Sequence, residues 1–231
     1  MPPRPLRFIH ITKTAGTAIE LAGKELGMQW GALDHSLRKD IFQATGKGGP
    51  FPFHHYPWDN LSEEIVSEWV RNADWFAVVR DPVDRVRSEY FCRFGNHLGD
   101  RKPEHMNRIV RRFLIQIILG KAEQLPAGPG HWLPMTRFTH PSGRRVVRHI
   151  LSFRHLEAEW RLLIESRGLP ATPLLHKLPS DVERPEVLPE VDLLNRLLIR
   201  WVYRDDYRLL KRHWSRQNPA LDDFPIPTDS A

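Results

Sequence analysis

Apolar and polar positions alternate between short buried-type runs and stretches with helical spacing. Leu6 to Ile11 is apolar and β-rich apart from Arg7 and His10, which predicts a mostly buried strand. The chain then turns at Gly16. From Thr17 onward Ala18, Ala22 and Leu26 recur at four-residue spacing and Gly27 stands where a helix would end, so a helix follows the strand. Residues 45–60, "TGKGGPFPFHHYPWDN", carry turn formers and aromatics and predict irregular backbone around a short strand. "DNLSEEIVSEWV" predicts a helix capped by Asn60, with Glu63 and Glu64 at its positive end. "DWFAVV" predicts a second buried strand. It runs into "RDPVDRVRSEYFCRF", where Asp81 caps a helix, Pro82 takes its first position and Val83, Val86, Tyr90 and Phe94 form its apolar stripe.

Further along, Pro103 to Leu119 reads as a long helix, "EQLPAGPGHWLP" as a loop and "RRVVRHILSF" as a strand. A helix through "EAEWRLLIE" ends at Gly168, "LPATPLLHKLPSDVERPEVLP" is a second long loop, and residues 190–214 form a closing helix. Strands alternating with helices predict an α/β fold with a central parallel sheet flanked by helices on both faces. A chain of 231 residues suits one domain, residues 1–231, with a frayed tail over 219–231.

Composition narrows the partners. Lys and Arg total 34 against 28 acidic residues, a formal charge of +6, which favours an anionic partner: nucleotide, nucleic acid, acidic glycan or anionic lipid. The longest apolar stretches, such as "FLIQIILG", fall far below the roughly 20 residues a membrane span needs. "MPPRPLRFIHI" has no apolar core of a signal peptide before the first strand. With one cysteine, Cys92, there is no disulfide framework, and a cytoplasmic setting is expected.

In parallel α/β sheets ligands bind beyond the carboxyl ends of the strands. There "TKTAGT" places a glycine at a helix start, hydroxyls at Thr14 and Thr17 and a mobile charge at Lys13, a set suited to phosphate. The bland alternative is a helix cap at Thr17 and a solvated lysine. Lys13 precedes the glycine, so the order G-x-x-x-x-G-K-[ST] of ordinary ATPases and GTPases is absent. At the second strand end Arg80 emerges, with Ser88 eight residues on, and both can face a second anion; pairing of Arg80 with Asp81 or Asp84 is the alternative.

"HITKTAGTAIE" together with "VVRDPVDRVRSEYF" resembles the two nucleotide signatures of sulfotransferases that use 3′-phosphoadenosine 5′-phosphosulfate (PAPS), particularly the carbohydrate branch that includes heparan and chondroitin enzymes. "HWLP", "ILSFRHLEAEW", "LLHKLPS" and "VYRDDYRLL" look like degenerate landmarks of that family, so the resemblance covers residues 6 to about 210. It implies a P-loop-like sandwich in which Lys13, Thr14, Ala15, Gly16, Thr17 and Ala18 surround the 5′-phosphosulfate, while Arg80 and Ser88 hold the 3′-phosphate. Thr12 stands where the family has proline, which should loosen the loop slightly. The acceptor-side landmarks depart further: "FRHL" replaces a commoner Glu-Asn-Leu, "HWLPM" lacks a glutamine and "HKLPS" an asparagine.

Sulfuryl transfer to a hydroxyl needs a base, charge stabilisation and help for the leaving phosphate, with no obligatory metal. Lys13 is the expected leaving-group stabiliser. For the base, "FHHYPW" supplies His55, whose Tyr56 and Pro57 neighbours match the family pattern, with His54 as the adjacent alternative. No H-E-x-x-H or C-x-x-C spacing suggests a metal site. His10 reads as a satisfied strand residue, and His131, beside Trp132 in a Gly/Pro-rich loop, as a contact for an acceptor sugar. Gly46 to Pro50 reads as a flap over the donor, and the basic runs "RFGNHLGDRK", "RIVRR" and "GRRVVR" either guide an anionic acceptor or form solvated faces.

The expected function is therefore PAPS-dependent transfer to a hydroxyl of a glycan, glycolipid or related polyol, by a soluble bacterial protein without nucleic acid as partner. The alternatives are an ATP-dependent kinase with an atypical phosphate loop, a basic module that binds nucleotide or nucleic acid without catalysis, and a sulfotransferase-like fold that has lost activity.

Overall fold

The computed structural model describes residues 4–45, 55–92, 102–125, 128–175 and 187–214. Along the chain run β1 (Leu6–Ile9), α1 (Gly16–Glu25), α2 (His35–Thr45), α3 (Glu63–Asn72), β2 (Asp74–Val79), α4 (Pro82–Tyr90) and α5 (Met106–Ile118). Two single turns follow, α6 (Pro129–Trp132) and α7 (Thr136–Thr139), then β3 (His149–Ser152), α8 (Leu156–Ser166), α9 (Leu193–Val202) and α10 (Arg204–Trp214).

The three strands form one parallel sheet in the order β1-β2-β3, with Phe8 opposite Phe76 and Phe76 opposite His149. Side chains alternate between its faces. Phe8, Phe76, Val78 and Leu151 pack with Ile19 and Ala22 of α1 and Trp160 and Leu163 of α8. Ile9, Trp75, Ala77, Val79 and Ile150 pack on the other face with Ile41 of α2, Trp69 of α3, Phe138 of α7 and Leu210 of α10. Covering both faces explains why every residue of "DWFAVV" is buried, and burial of Phe76, Val78 and Val79 contributes about 1.5–3 kcal/mol each. A third cluster, centred on Val86, Tyr90, Phe113, Trp132, Ile199 and Tyr203, joins α4, α5 and α9.

Several boundaries differ from the sequence reading. The closing helix is two helices, because buried Tyr203 leaves helical geometry at φ −103° and ψ 25°. Its hydroxyl donates to the Trp132 carbonyl at 2.5 Å, which anchors the break. Asn60 does not cap α3; it ends a 3-10 turn, and Ser62 precedes the helix. Of "RRVVRHILSF" only His149–Ser152 is strand, because the turn at Ser142 and Gly143 (φ 50° and 81°) leads Val146 to donate to the Thr139 carbonyl instead. "EQLPAGPGHWLP" contains the helical turn α6, so His131 lies on a helix rather than in an open loop. The strand expected within residues 45–60 is absent from residues 55–60, and the remainder, with the Gly46–Pro50 segment and the tail 219–231, falls outside the described residues.

At the amino end of β2, buried Asp74 meets Arg4 at 2.9 Å, Arg148 at 3.4 Å and Arg167 at 2.5 Å. Burial pushes its carboxyl pKa up, but the bond from Arg167 and the three positive charges outweigh burial and hold it below the usual value. Among the described residues no helix is long and apolar enough to cross a membrane.

Candidate active site

The opposite edge of the sheet is where β1 and β2 deliver the chain to α1 and α4. Lys13 and Ala15 both adopt left-handed backbone, with φ of 61° and 71°. That conformation costs an L-residue about 1–2 kcal/mol, and strain of this kind gathers at functional loops. The Ala15 carbonyl accepts from Ala18 N at 3.0 Å and Ile19 N at 3.2 Å, so the N–H groups of Gly16 and Thr17 precede the first helical bonds of α1. Thr17 is exposed and Ala18 buried. Thr14 is buried and its hydroxyl donates to the Ile11 carbonyl at 2.8 Å, which commits its proton to shaping the loop. Gly16 has a specific reason: a Cβ there would run into the His10 ring.

Three histidines lie in a row. His10 Nδ1 is 2.5 Å from Glu20 Oε1, an oxygen that also accepts from Ala32 N at 2.8 Å, so His10 is satisfied as expected, though it stands one residue past the end of β1 rather than in the strand. His55 Nδ1 lies 3.0 Å from the His10 carbonyl. A carbonyl only accepts, so Nδ1 carries the proton and, in the neutral ring, the lone pair sits on Nε2. The His55 ring stands edge-on between His10, at 4.4 Å between centroids, and His131, at 5.2 Å. His131 Nδ1 is in turn 2.7 Å from Glu89 Oε1. His54 lies outside the described residues.

His131 is therefore buried against a carboxylate, not presented to solvent for a sugar. Its segment is fastened from several sides. Arg85, fully buried in α4, donates through Nη1 to the Leu133 carbonyl at 2.8 Å and through Nη2 to the His131 carbonyl at 3.1 Å. The same guanidinium donates to the Thr12 carbonyl at 3.0 Å and to Thr12 Oγ1 at 3.1 Å. Thr12 Oγ1 passes its own proton toward the His131 carbonyl at 3.3 Å. The threonine expected to loosen the anion loop thus ties it to the histidine segment. From α10, buried Asp206 accepts from Met135 N and Thr136 N, both at 2.9 Å.

Glu89 is as fully enclosed as Arg85. Burial pushes its pKa up, yet the His131 charge and hydrogen bond, with Lys13 and Arg85 behind them, hold it below the usual carboxylate value. Among the described residues its buried Oε2 has no hydrogen-bond partner. Glu89, Cys92 and His131 bring possible ligand atoms within 4.8 Å of one another. Lys13 and Arg85 already supply the compensating charge and would repel a cation there.

Arg80 donates from Nη1 to the Lys13 carbonyl at 3.2 Å and lies over the Phe153 ring at 4.2 Å. Its alternative partners are engaged elsewhere: Asp81 caps α4 by accepting from Val83 N and Asp84 N, and Asp84 faces Arg87 at 3.6 Å. Ser88 is buried on α4, one turn beyond Arg85. Of the basic runs, Arg111 pairs with Asp192 at 2.6 Å and Arg145 donates to the Val147 and Arg148 carbonyls.

Sequence reasoning overlooked Arg85, Glu89 and Glu20. The signal was present in α4, where Arg85 and Glu89 stand four apart on the same side as Val86 and Tyr90: charges on a buried stripe require a partner. No family model, no curated protein and no solved structure matches the chain.

Proposed function

We propose that this chain is a PAPS-dependent sulfotransferase with a P-loop-like α/β sandwich, transferring a sulfuryl group to a hydroxyl of a glycan, glycolipid or related polyol. The observation that carries the reading is the tautomer of His55: its Nδ1–H is held by the carbonyl of His10, the residue whose ring packs against Gly16 of the strained loop, and this leaves the lone pair of the neutral ring on Nε2. In this mechanism His55 Nε2 takes the acceptor proton as the acceptor oxygen bonds to sulfur. The bond between sulfur and the bridging oxygen breaks, its electron pair stays on the 5′-phosphate, and Lys13 stabilises that charge. The N–H groups of Gly16 and Thr17 serve the same phosphate, and Arg80 with Ser88 the 3′-phosphate. A positioned base supplies about 10²–10⁴ in rate.

The test is calorimetric titration with adenosine 3′,5′-bisphosphate, the desulfated product, against ADP. A charge-assisted contact to the 3′-phosphate predicts roughly ten- to a hundredfold preference for the bisphosphate, lost in Arg80→Ala. Equal affinity for the two nucleotides would overturn the donor assignment.

A further inference from the structure

α9 carries an apolar arc that the described fold leaves uncovered. Asn195 and Ile199 point inward and are buried, and Leu198 and Val202 pack on the third cluster. Leu193, Leu194, Leu197 and Trp201 remain 74, 49, 54 and 54 % exposed. At about 100° per residue these four positions share one arc of about 100°. Arg196 and Arg200, both exposed, border that arc on one side, and exposed Arg204 and Arg208 continue the four-residue spacing into α10.

The neighbouring helix extends this character. α5 lies beside α9, joined by Arg111 to Asp192 at 2.6 Å and by Asn195 Nδ2 to the Asn107 carbonyl at 2.8 Å. It exposes Ile115 and Leu119 together with Arg108 and Arg112. The acidic groups nearby are partly occupied: Glu190 lies 3.8 Å from Arg196, and Asp205 lies 2.7 Å from Arg208.

A self-association through this arc would bring two arginine rows together. A nucleic acid would satisfy the arginines and leave the leucines and Trp201 in water. An anionic bilayer accommodates both, with leucine and tryptophan at the boundary between headgroups and acyl chains and arginines on lipid phosphates. We propose that α9 and its flanking arginines dock the protein on an anionic lipid surface. Tyr203, which follows α9 directly, donates to the Trp132 carbonyl, so the docking helix abuts the segment that holds His131. The proposal stands independently of the sulfuryl-transfer reading, since vesicle binding is measured without donor or acceptor.

The experiment is flotation of the full chain with phosphatidylcholine vesicles, with and without phosphatidylglycerol, at low and high salt. Wild type should float with the anionic vesicles only, and less so at high salt. The double variant Leu197→Ser/Trp201→Ser should lose about tenfold or more in partitioning. Arg196→Gln and Arg200→Gln should each lose about fivefold. Leu197, Trp201 and Arg200 are exposed, so an unchanged denaturation midpoint accompanies the losses in their variants, whereas Arg196→Gln also removes a 2.7 Å bond to the Val191 carbonyl and is read against its own midpoint; Leu193→Glu, at the most exposed position of the arc, repeats the test should the double variant fold poorly. Equal flotation with neutral and anionic vesicles, or variants that float like wild type, would overturn the proposal. So would a wild-type dimer that Leu197→Ser/Trp201→Ser converts to monomer, which would assign the arc to a second copy. Binding to RNA that depends on the arginines and not on Leu197 and Trp201 would also overturn it.

Discussion

The two ends of the sheet handle buried charge in opposite ways. At the amino end, Asp74 is surrounded by Arg4, Arg148 and Arg167, each within ion-pair distance. At the carboxyl end, Glu89 makes a hydrogen bond to His131, whose charge and bond do most to hold it ionised, keeps Oε2 without a hydrogen-bond partner among the described residues, and takes further balance from the unbonded charges of Lys13 and Arg85. Full pairing fixes a carboxylate in place. Balance by unbonded charge leaves a field that can act on a ligand, and here strained backbone and three histidines converge on the same edge. The contrast puts a fully paired carboxylate at one end of β2 and, at the other, the residues on which the proposed chemistry rests.

The strongest way to break that contrast is at His55. In the proposed mechanism His55→Ala should lower turnover by about 10²–10⁴ while affinity for adenosine 3′,5′-bisphosphate stays at the wild-type value. Asp74→Asn, assayed under conditions where it remains folded, should leave turnover unchanged. Loss of turnover in the Asp74 variant, or none in the His55 variant, would reverse the division of labour.

Stability should rank the other way. Asp74→Ala leaves three arginines facing an empty site and should cost about 3 kcal/mol in denaturant unfolding, since removing one member of a buried ionic group costs about 3–5 kcal/mol and these arginines retain some access to water. Glu89→Gln keeps an acceptor for His131 and should cost less. Both carboxyls have folded pKa values below the ordinary one, so each contributes stability that is present above the unfolded carboxylate pKa and is lost as pH falls through the folded value. Urea titrations from neutral to acid pH should therefore show a shallower acid loss in both variants. A Glu89→Gln loss larger than that of Asp74→Ala would show that Glu89 is the structural member.

A third group titrates in a different window. Burial, reinforced by the charges of Arg145 and Arg212, lowers the His140 pKa to about 4. The unfolded chain takes up this proton near pH 6.5, so between about 6.5 and 4 it binds more protons than the folded one and stability falls as pH falls. His140→Gln should flatten the stability profile across that window without altering the carboxylate-driven loss below it. An unchanged profile would mean that the ring reaches water.

How much of this arrangement the sequence carried depends on distance along the chain. β1, β2 and the start of α4 were legible because a short apolar run, Asp81 and Pro82 act locally. The placement of the Lys13–Gly16 loop between the end of β1 and the start of α1 was legible for the same reason. The histidine row was not. His55 meets the His10 carbonyl across 45 positions and His131 meets Glu89 across 42, and no local spacing encodes either contact. The break at Tyr203 was hidden because helical spacing continues through it; only the Trp132 carbonyl, 71 positions away, explains it.

The smallest effect tests how the two halves of the carboxyl edge are joined. Thr12 Oγ1 accepts from Arg85 Nη2 at 3.1 Å and donates toward the His131 carbonyl at 3.3 Å, so one hydroxyl links the loop after β1 to the histidine segment. Thr12→Val keeps the shape and removes the hydroxyl. Arg85 Nη2 retains the His131 carbonyl at 3.1 Å, which limits the loss to about 1 kcal/mol. Thr12→Ser restores the hydroxyl and should unfold at nearly the wild-type denaturant midpoint. If Thr12→Ser destabilises while Thr12→Val does not, the methyl group and not the hydroxyl joins the two segments, and the edge is held by packing alone.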